Sequence, residues 1–237
     1  MAAHPPTQHL PAVTAEQMRE VDRVMVEDLG IQLLQMMENA GRHLAELAVR
    51  RYRPASCTVL VGPGGNGGGG MVAARHLHNR GVDIAVVPVE LRPPGVPGHQ
   101  LTILRRMGVP ILTQPQPADL TIDALLGYSL RGDPREPAAG WIRWANTSTA
   151  PILALDLPSG LEATTGRVGD PCTKADATLT LALPKVGLLG AAQLVGELYA
   201  ADISVPPSVY TAMGLQVGAA FANGSIVRLP GIPGWRG

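Results

Sequence analysis

The chain has 237 residues, of which 46% are hydrophobic and 16% are charged, a length and composition typical of one globular domain. This balance excludes a disordered or fibrous protein, which would show fewer apolar residues or a strong compositional bias. The 19 Lys and Arg residues equal the 19 Asp and Glu residues in number, so no basic excess is available for binding nucleic acid.

Cysteine content and hydropathy indicate the compartment. Cys57 and Cys172 are the two cysteines, and their wide separation gives neither a disulfide framework nor the spacing of a zinc site. No stretch approaches the roughly 20 consecutive apolar residues that span a bilayer, and the N-terminus lacks the pattern of a secretory signal. We therefore expect a cytoplasmic protein that does not associate with membranes.

The chain is predicted to be one domain between two tails. Residues 1–12 are polar and rich in proline, which indicates a flexible N-terminal tail. Residues 13–225 carry the periodic apolar patterns and are assigned to the domain. Residues 226–237 are rich in glycine and proline and are assigned to a C-terminal tail.

Two helices are predicted before the first strand. Thr14 and Gln17 form a capping-box pattern that begins the first helix, whose apolar residues recur at helical spacing. The second helix is predicted from about Leu33 to Arg51, and Gly30 separates it from the first.

The rest of the domain alternates short apolar strands with helices. Residues 58–61 favour a strand, residues 62–70 a glycine-rich turn, and a helix is predicted from Met71. Further strands are predicted at 84–89, 120–126, 152–157, 177–183 and 196–203, with helices at 100–107 and 138–147. This alternation is typical of an α/β domain with a mostly parallel, doubly wound sheet that is covered on both faces.

The glycine-rich turn is the first candidate binding element. A glycine backbone can approach a pyrophosphate closely, and the amides at the start of the following helix can donate hydrogen bonds to anionic oxygens. Gly62, Gly64 and Gly67 also satisfy GxGxxG, and Glu90 ends the next strand, where a dinucleotide dehydrogenase places an acid on a ribose. An NAD-dependent dehydrogenase is therefore one alternative, and a merely flexible turn is another.

Acids at two strand ends are the second candidate element. Asp156 closes the apolar run that begins at Ile152, and Asp123 ends the preceding strand in the same way, so both carboxyls are delivered to the ligand-binding edge of the sheet. Each could instead brace a loop through hydrogen bonds. Lys185 could contact a phosphate or could be an ordinary solvated lysine.

These segments together resemble the YjeF N-terminal domain family, the NAD(P)H-hydrate epimerases. The similarity covers nearly all of residues 14–210 and is carried by the segments 37–41, 62–77, 123–129, 135–137, 156–160, 184–187 and 202–207, with Gly132. The resemblance implies a Rossmann-like three-layer αβα sandwich, often dimeric. It also implies an isomerase that interconverts the R and S hydrates NADHX and NADPHX for a partner dehydratase in nicotinamide nucleotide repair.

The resemblance also implies roles for individual residues. Asp156 would lie at the reacting ring as the catalytic residue. Asn66, Asp123 and Ser159 would surround a potassium ion, since oxygen ligands suit a hard cation. The substrate would be held by Asp156 together with Gly65, Asn66, Gly67, Gly68, Gly69, Gly127, Tyr128, Ser129, Leu130, Arg131, Gly132 and Asp133.

Two positions depart from the family pattern. The family loop usually reads Gly-Pro-Gly-Asn-Asn-Gly-Gly-Asp-Gly, whereas this chain has Gly65 in place of the first Asn and Gly69 in place of the Asp. The expected mechanism has Asp156 donate a proton to the departing hydroxyl of the hydrate, after which water returns on the other face. The alternative is a nucleotide-binding or scaffold member whose turnover is weakened or lost.

Overall fold

The computed structural model describes residues 10–230 of the chain. Its centre is a seven-stranded sheet in the order β2-β1-β3-β4-β5-β6-β7, in which every neighbouring pair is parallel except β6 with β7. The strands are β1 (Ser56–Val61), β2 (Asp83–Pro88), β3 (Leu120–Ala124), β4 (Ile152–Leu155), β5 (Ala177–Leu181), β6 (Glu197–Ala201) and β7 (Ile226–Arg228). The central strands are buried along almost their whole length, as expected for a parallel sheet covered on both faces.

Seven α-helices accompany the strands within residues 10–230. They are α1 (Ala15–Arg23), α2 (Leu33–Tyr52), α3 (Gly65–His78), α4 (Gly95–Arg106), α5 (Ala138–Thr147), α6 (Ala192–Val195) and α7 (Pro207–Ala212). A π-helical turn, Val24–Asp28, extends α1, and a 3-10 turn occupies Val186–Leu188. No helix in this part of the chain has the length and hydropathy needed to cross a bilayer.

The α/β class and the mostly parallel sheet predicted from the sequence are confirmed. The capping box of Thr14 and Gln17 begins α1, and α5 has the predicted bounds. Three assignments are wrong, the start of α3 among them. Helix α4 begins at Gly95 rather than near Gln100, and residues 226–228 form β7 within the segment assigned to the C-terminal tail.

The remaining parts of the predicted tails, residues 1–9 and 231–237, lie outside the described residues.

The glycine-rich turn is much shorter than predicted, because α3 begins at Gly65 and not at Met71. Four of the helical glycines, Gly67 to Gly70, pack so closely that an added Cβ would lie less than 3.0 Å from another atom. A Cβ on Gly67 would lie 1.8 Å from the carbonyl oxygen of Gly62, and one on Gly70 would lie 2.4 Å from the Cβ of Ala124. Close packing therefore compensates for the low helix propensity of glycine and brings the N-terminus of α3 against the sheet edge.

Candidate active site

A cavity of about 590 Å³ opens at the carboxyl ends of β3, β4 and β5. Helices α1 and α2 form one wall, the N-terminus of α3 forms another, and the loop after β3, residues 125–131, also lines the cavity. Apolar side chains supply much of the lining, among them Met18, Met36, Met37 and Ile203. A cavity of this size and position is typical of the ligand site of a doubly wound sheet.

The N-terminus of α3 presents unpaired backbone amides to this cavity. Gly64 precedes the first turn without a side-chain cap, and the amide of Gly68 is the first that donates within the helix, to the carbonyl of Gly64 at 3.0 Å. The amides of Gly65, Asn66 and Gly67 are therefore left without an intrahelical acceptor, and the helix dipole adds partial positive charge. Gly64, Gly65 and Asn66 line the cavity, so these donors can meet an anionic group of a ligand.

Asp156 and Lys185 form a buried ion pair at the edge of the sheet. Asp156 directly follows β4 with a φ of 69°, and its Oδ1 contacts Lys185 Nζ. Lys185 is 0% exposed, and its Nζ also donates to the carbonyl of Leu181 at 2.8 Å. Asp156 Oδ2 accepts a hydrogen bond from the amide of Tyr128 at 3.2 Å. The pair thus lines the cavity and is hydrogen-bonded to the loop after β3.

Asp123 and Ser159 form a second buried polar group behind the cavity. Ser159 donates to Asp123 from its hydroxyl at 2.6 Å and from its amide at 2.8 Å, and the Leu125 amide donates at 3.2 Å. Burial raises the pKa of Asp123, and the Ser159 hydrogen bonds oppose that rise. The loop-bracing role considered for Asp123 is therefore present in the structure.

Asn66 carries polar atoms that no described residue satisfies. Both its side-chain oxygen and its side-chain nitrogen are buried without a hydrogen-bond partner among residues 10–230. Since buried amides are rarely left unpaired, a ligand or ion at this position is the simplest source of partners. Asn66 also lies close to Gly127, where an added Cβ would be 3.3 Å from the Asn66 Cβ.

A second carboxyl reaches the cavity from α1. Asp22 is half-buried, and its Oδ2 accepts a hydrogen bond from the phenol of Tyr128 at 2.5 Å. Burial raises the pKa of Asp22, while the hydrogen bond from Tyr128 opposes the rise. Tyr128 is thus held at its amide by Asp156 and at its hydroxyl by Asp22.

The structure brings most of the predicted substrate residues to one cavity. Those that line it are Gly65, Asn66, Gly69, Gly127, Tyr128, Ser129, Leu130, Arg131 and Asp156. Four predicted residues are not among its lining: Gly67 packs on Gly62, Gly68 on Met37, Gly132 turns the loop with a φ of 76°, and Asp133 pairs with Arg167.

Three further outcomes concern residues outside the predicted substrate set. Glu90 is exposed and does not line the cavity, which removes the acid that a dehydrogenase would need on its ribose. Lys185 is buried, so the solvated-lysine interpretation is wrong. Asp22 was missed by sequence reasoning, although its position four residues after the buried Met18 places it beside the apolar face of α1.

The two glycines that depart from the family pattern occupy different surroundings. A Cβ on Gly65 would meet only the Met37 Cε, at 3.9 Å, so this position has room for a side chain. A Cβ on Gly69 would lie 2.9 Å from a terminal methyl of Leu155. Gly69 therefore contributes to the packing of α3 as well as to the cavity.

The fold and the cavity define an α/β protein of the doubly wound class, with a ligand site at the carboxyl edge of its parallel sheet. Residues 33–187 match the model of the family described as YjeF-related protein N-terminus. The crystal structure of yeast ynu0 superposes with a TM-score of 0.81 over 93% of this chain and 100% of that chain, at 24% identity, and supports the fold. The chain belongs to the YjeF-related N-terminal family.

Two relatives illustrate how the family occurs. An NAD(P)H-hydrate epimerase from Dehalogenimonas lykanthroporepellens is 41% identical over 232 residues, which cover 94% of each chain. A bifunctional NAD(P)H-hydrate repair enzyme from Hyperthermus butylicus is 42% identical over 201 residues, which cover 79% of this chain but 37% of the relative. The domain is thus similar both to a relative of its own length and to one part of a longer enzyme.

Proposed function

We propose that the chain is an NAD(P)H-hydrate epimerase, an isomerase that interconverts the R and S forms of NADHX and NADPHX. The similarity to an epimerase over 94% of both chains supports this activity. The structural observation that carries it is the buried Asp156–Lys185 pair at a cavity into which the unpaired amides of α3 open.

The cavity offers separate features for the two ends of such a substrate. The pyrophosphate would meet the amides of Gly65 and Asn66, which line the cavity at the start of α3, where the helix dipole favours negative charge. Arg131 lies on the loop after β3, lines the same cavity and would contact the same anion. The hydrated nicotinamide ring would lie deeper, between the apolar wall and Asp156.

The ion pair changes the role expected for Asp156. Epimerisation requires the hydrate carbon to lose its hydroxyl, with the ring nitrogen lone pair supporting a planar iminium, and then to regain water on the other face. A carboxylate in contact with the ammonium of Lys185 is suited to accept a proton rather than to donate one. We therefore infer that Asp156 accepts a proton from the returning water and that Lys185 stabilises the Asp156 carboxylate.

The alternative, a member with weakened or lost turnover, is motivated by Gly69. No side chain at this position can contribute a carboxylate to the cavity. The Asp156–Lys185 pair is intact, and its placement does not depend on residue 69, because its contacts come from Tyr128 and Leu181. This observation favours the active epimerase.

A potassium ion would be held by Asn66, Asp123 and Ser159. The unpaired amide oxygen of Asn66 fits this role, and Asp123 and Ser159 add carboxylate and hydroxyl oxygens, the donors that a hard alkali cation takes. A bound cation would also offset the burial that raises the pKa of Asp123. In a thermal melt, K⁺ should therefore raise the melting temperature of the wild type above that in the same concentration of a bulky ammonium salt. Asn66→Ala should abolish this difference.

We further propose that the product passes to a dehydratase, since epimerisation alone does not restore the cofactor. The name of the Hyperthermus butylicus relative indicates that two repair activities can be joined in one chain. A cytoplasmic location and a homodimer complete the proposal.

The decisive experiment compares wild type with Asp156→Asn on the R hydrate, with chromatographic separation of the two epimers. The wild type should reach the equilibrium mixture well ahead of the reaction without enzyme, and Asp156→Asn should not. Asp83→Asn is a matched control, because Asp83 is exposed at the N-terminal end of β2, at the edge of the sheet opposite to the cavity. A wild type no faster than the reaction without enzyme would refute the function.

Asp156→Asn leaves the buried Lys185 without its partner, so a folded comparison is also needed. The double variant Asp156→Asn with Lys185→Met removes both charges and should retain the fold, because apolar replacement of a whole buried pair is often neutral. Epimerisation by the folded double variant at the wild-type rate would exclude the pair from the chemistry.

A further inference from the structure

The reaction needs a proton donor that the Asp156–Lys185 pair does not supply. The hydroxyl must leave as water, which requires a proton, while Asp156 is occupied by the ammonium of Lys185. The described residues that line the cavity include two with carboxyl side chains, Asp156 and Asp22. Asp22 lies on α1, which also contributes Met18 to the lining of the cavity.

The contacts of Asp22 leave one of its oxygens available to a ligand. Oδ2 accepts the phenol hydrogen bond of Tyr128, and Oδ1 has no hydrogen-bond partner among residues 10–230. Tyr128 donates its own amide to Asp156 Oδ2 at 3.2 Å. Tyr128, a residue of the loop after β3, therefore bridges the two carboxyls at the same cavity.

We propose that Asp22 is the second acid–base residue of this site and donates the proton that releases the hydroxyl of the hydrate, while Asp156 acts from the sheet edge. This inference rests on the proposed epimerase function. Asp22 and Asp156 come from different walls, α1 and the end of β4, and an exchange of water between two ring faces needs an acid and a base on different sides.

The surroundings of Asp22 suit a carboxyl that carries a proton. Burial raises its pKa, and the Tyr128 hydrogen bond and the Lys185 charge oppose the rise, while the Asp156 charge adds to it. Arg19, one turn earlier on α1, lies near the Tyr128 ring, and Arg131 lines the same cavity. Proton donors of this kind work best when their pKa approaches the working pH.

The step balances without any added reactant. Protonated Asp22 gives its proton to the hydroxyl as the carbon–oxygen bond breaks, and water and an iminium form. A water on the other face then adds to the same carbon, and its proton passes to Asp156. Asp156 then releases this proton to water in the cavity that it lines, and the half-buried Asp22 takes a proton from solvent, so both groups return to their starting states before the next turnover. The reverse reaction uses the same two groups with their roles exchanged.

Asp22→Asn and Tyr128→Phe separate acid–base chemistry from loop positioning. The asparagine can still accept the Tyr128 hydrogen bond but carries no transferable proton, so kcat should fall by about 100-fold or more. KM and the melting temperature should change little. In Tyr128→Phe the carboxyl remains while the loop loses one anchor, so KM should rise and most of kcat should survive. Asp22→Glu should recover part of the activity.

The pH profile provides the readout that a purely structural role would not change. In the wild type, kcat should fall as the pH rises past the pKa of Asp22, because the proton donor is lost. Asp22→Asn should lack this limb. Tyr128→Phe should move the limb to higher pH, because the hydrogen bond that lowers the pKa of Asp22 has gone.

The outcomes distinguish this inference from the proposed function. An active wild type whose kcat is unchanged in Asp22→Asn would overturn the role of Asp22 and leave the epimerase intact. A large loss of kcat that keeps the wild-type pH limb, or that is matched by Tyr128→Phe, would also overturn it. If the wild type itself fails to accelerate epimerisation, both proposals fail together.

Discussion

Replacing Lys185 with methionine tests the buried ion pair directly. The lysine side chain is 0% exposed and that of Asp156 is 4% exposed, so the carboxylate left behind has almost no access to water. Removing one partner of such a pair costs about 3–5 kcal/mol in free energy of unfolding. Methionine fills nearly the same space, so the packing contribution should stay below about 1.5 kcal/mol.

The loss of the ammonium also leaves a carbonyl unpaired. Leu181 accepts a hydrogen bond from Lys185 Nζ at 2.8 Å, and an unsatisfied buried group adds about 1–3 kcal/mol. This contribution overlaps with that of the ion pair, so we expect a total near the upper end of about 3–5 kcal/mol. That is a large fraction of the stability of an ordinary domain, about 5–15 kcal/mol.

Urea unfolding followed by circular dichroism measures the effect, with the double variant Lys185→Met and Asp156→Asn as the reference. The double variant should lose less stability than the sum of the two single variants, with a coupling of about 0.5–3 kcal/mol. Two results would refute the conclusion that Asp156 and Lys185 form a buried, energetically coupled ion pair. One is a loss of stability below about 1 kcal/mol in Lys185→Met, and the other is additive effects of the two substitutions.

Two further predictions concern the glycines between α2 and α3. Gly41→Ala should lower the free energy of unfolding by about 1–3 kcal/mol, because its Cβ would lie 2.4 Å from that of Val72. The control in the same urea titration is Gly190→Ala, whose Cβ would meet nothing within 4 Å. Gly69→Asp should fold after a small shift of the Leu155 methyl and should raise kcat by less than about tenfold over Gly69→Ala, below the usual contribution of one proton-transfer group. A larger gain in kcat in the epimer assay would favour the alternative, in which this chain is a family member with weakened turnover.

Much of the fold followed from local pattern in the sequence. The capping box at Thr14 and the apolar strands gave the correct class, because strand periodicity and helix caps depend on neighbouring residues. The start of α3 at Gly65 did not follow, because glycine disfavours helices locally and only the contacts with α2 and the sheet reverse that preference. Strand β7 has three residues, too few to show a period.

The candidate site was predictable where residues stand at strand ends or in the family motifs. Asp156, Asn66 and the loop from Gly127 to Arg131 reach one cavity, as the topology of a parallel sheet requires. The burial of Lys185 was not predictable, because a lysine is ordinarily exposed and its partner lies 29 residues away. Asp22 was hidden for a similar reason, since its contact with Tyr128 spans 106 residues.

The glycines of α3 serve two purposes that the sequence alone does not separate. Gly67 has no room for a Cβ beside the Gly62 backbone, whereas a Cβ on Gly68 would require the end of the Met37 side chain to move. A Cβ on Gly65 would meet only the Met37 Cε at 3.9 Å, so packing does not require glycine at this position, which lines the cavity. If the pyrophosphate binds at the amides that begin α3, as we propose, a side chain at residue 65 should change substrate affinity at the phosphate end and should leave the packing of α3 unchanged.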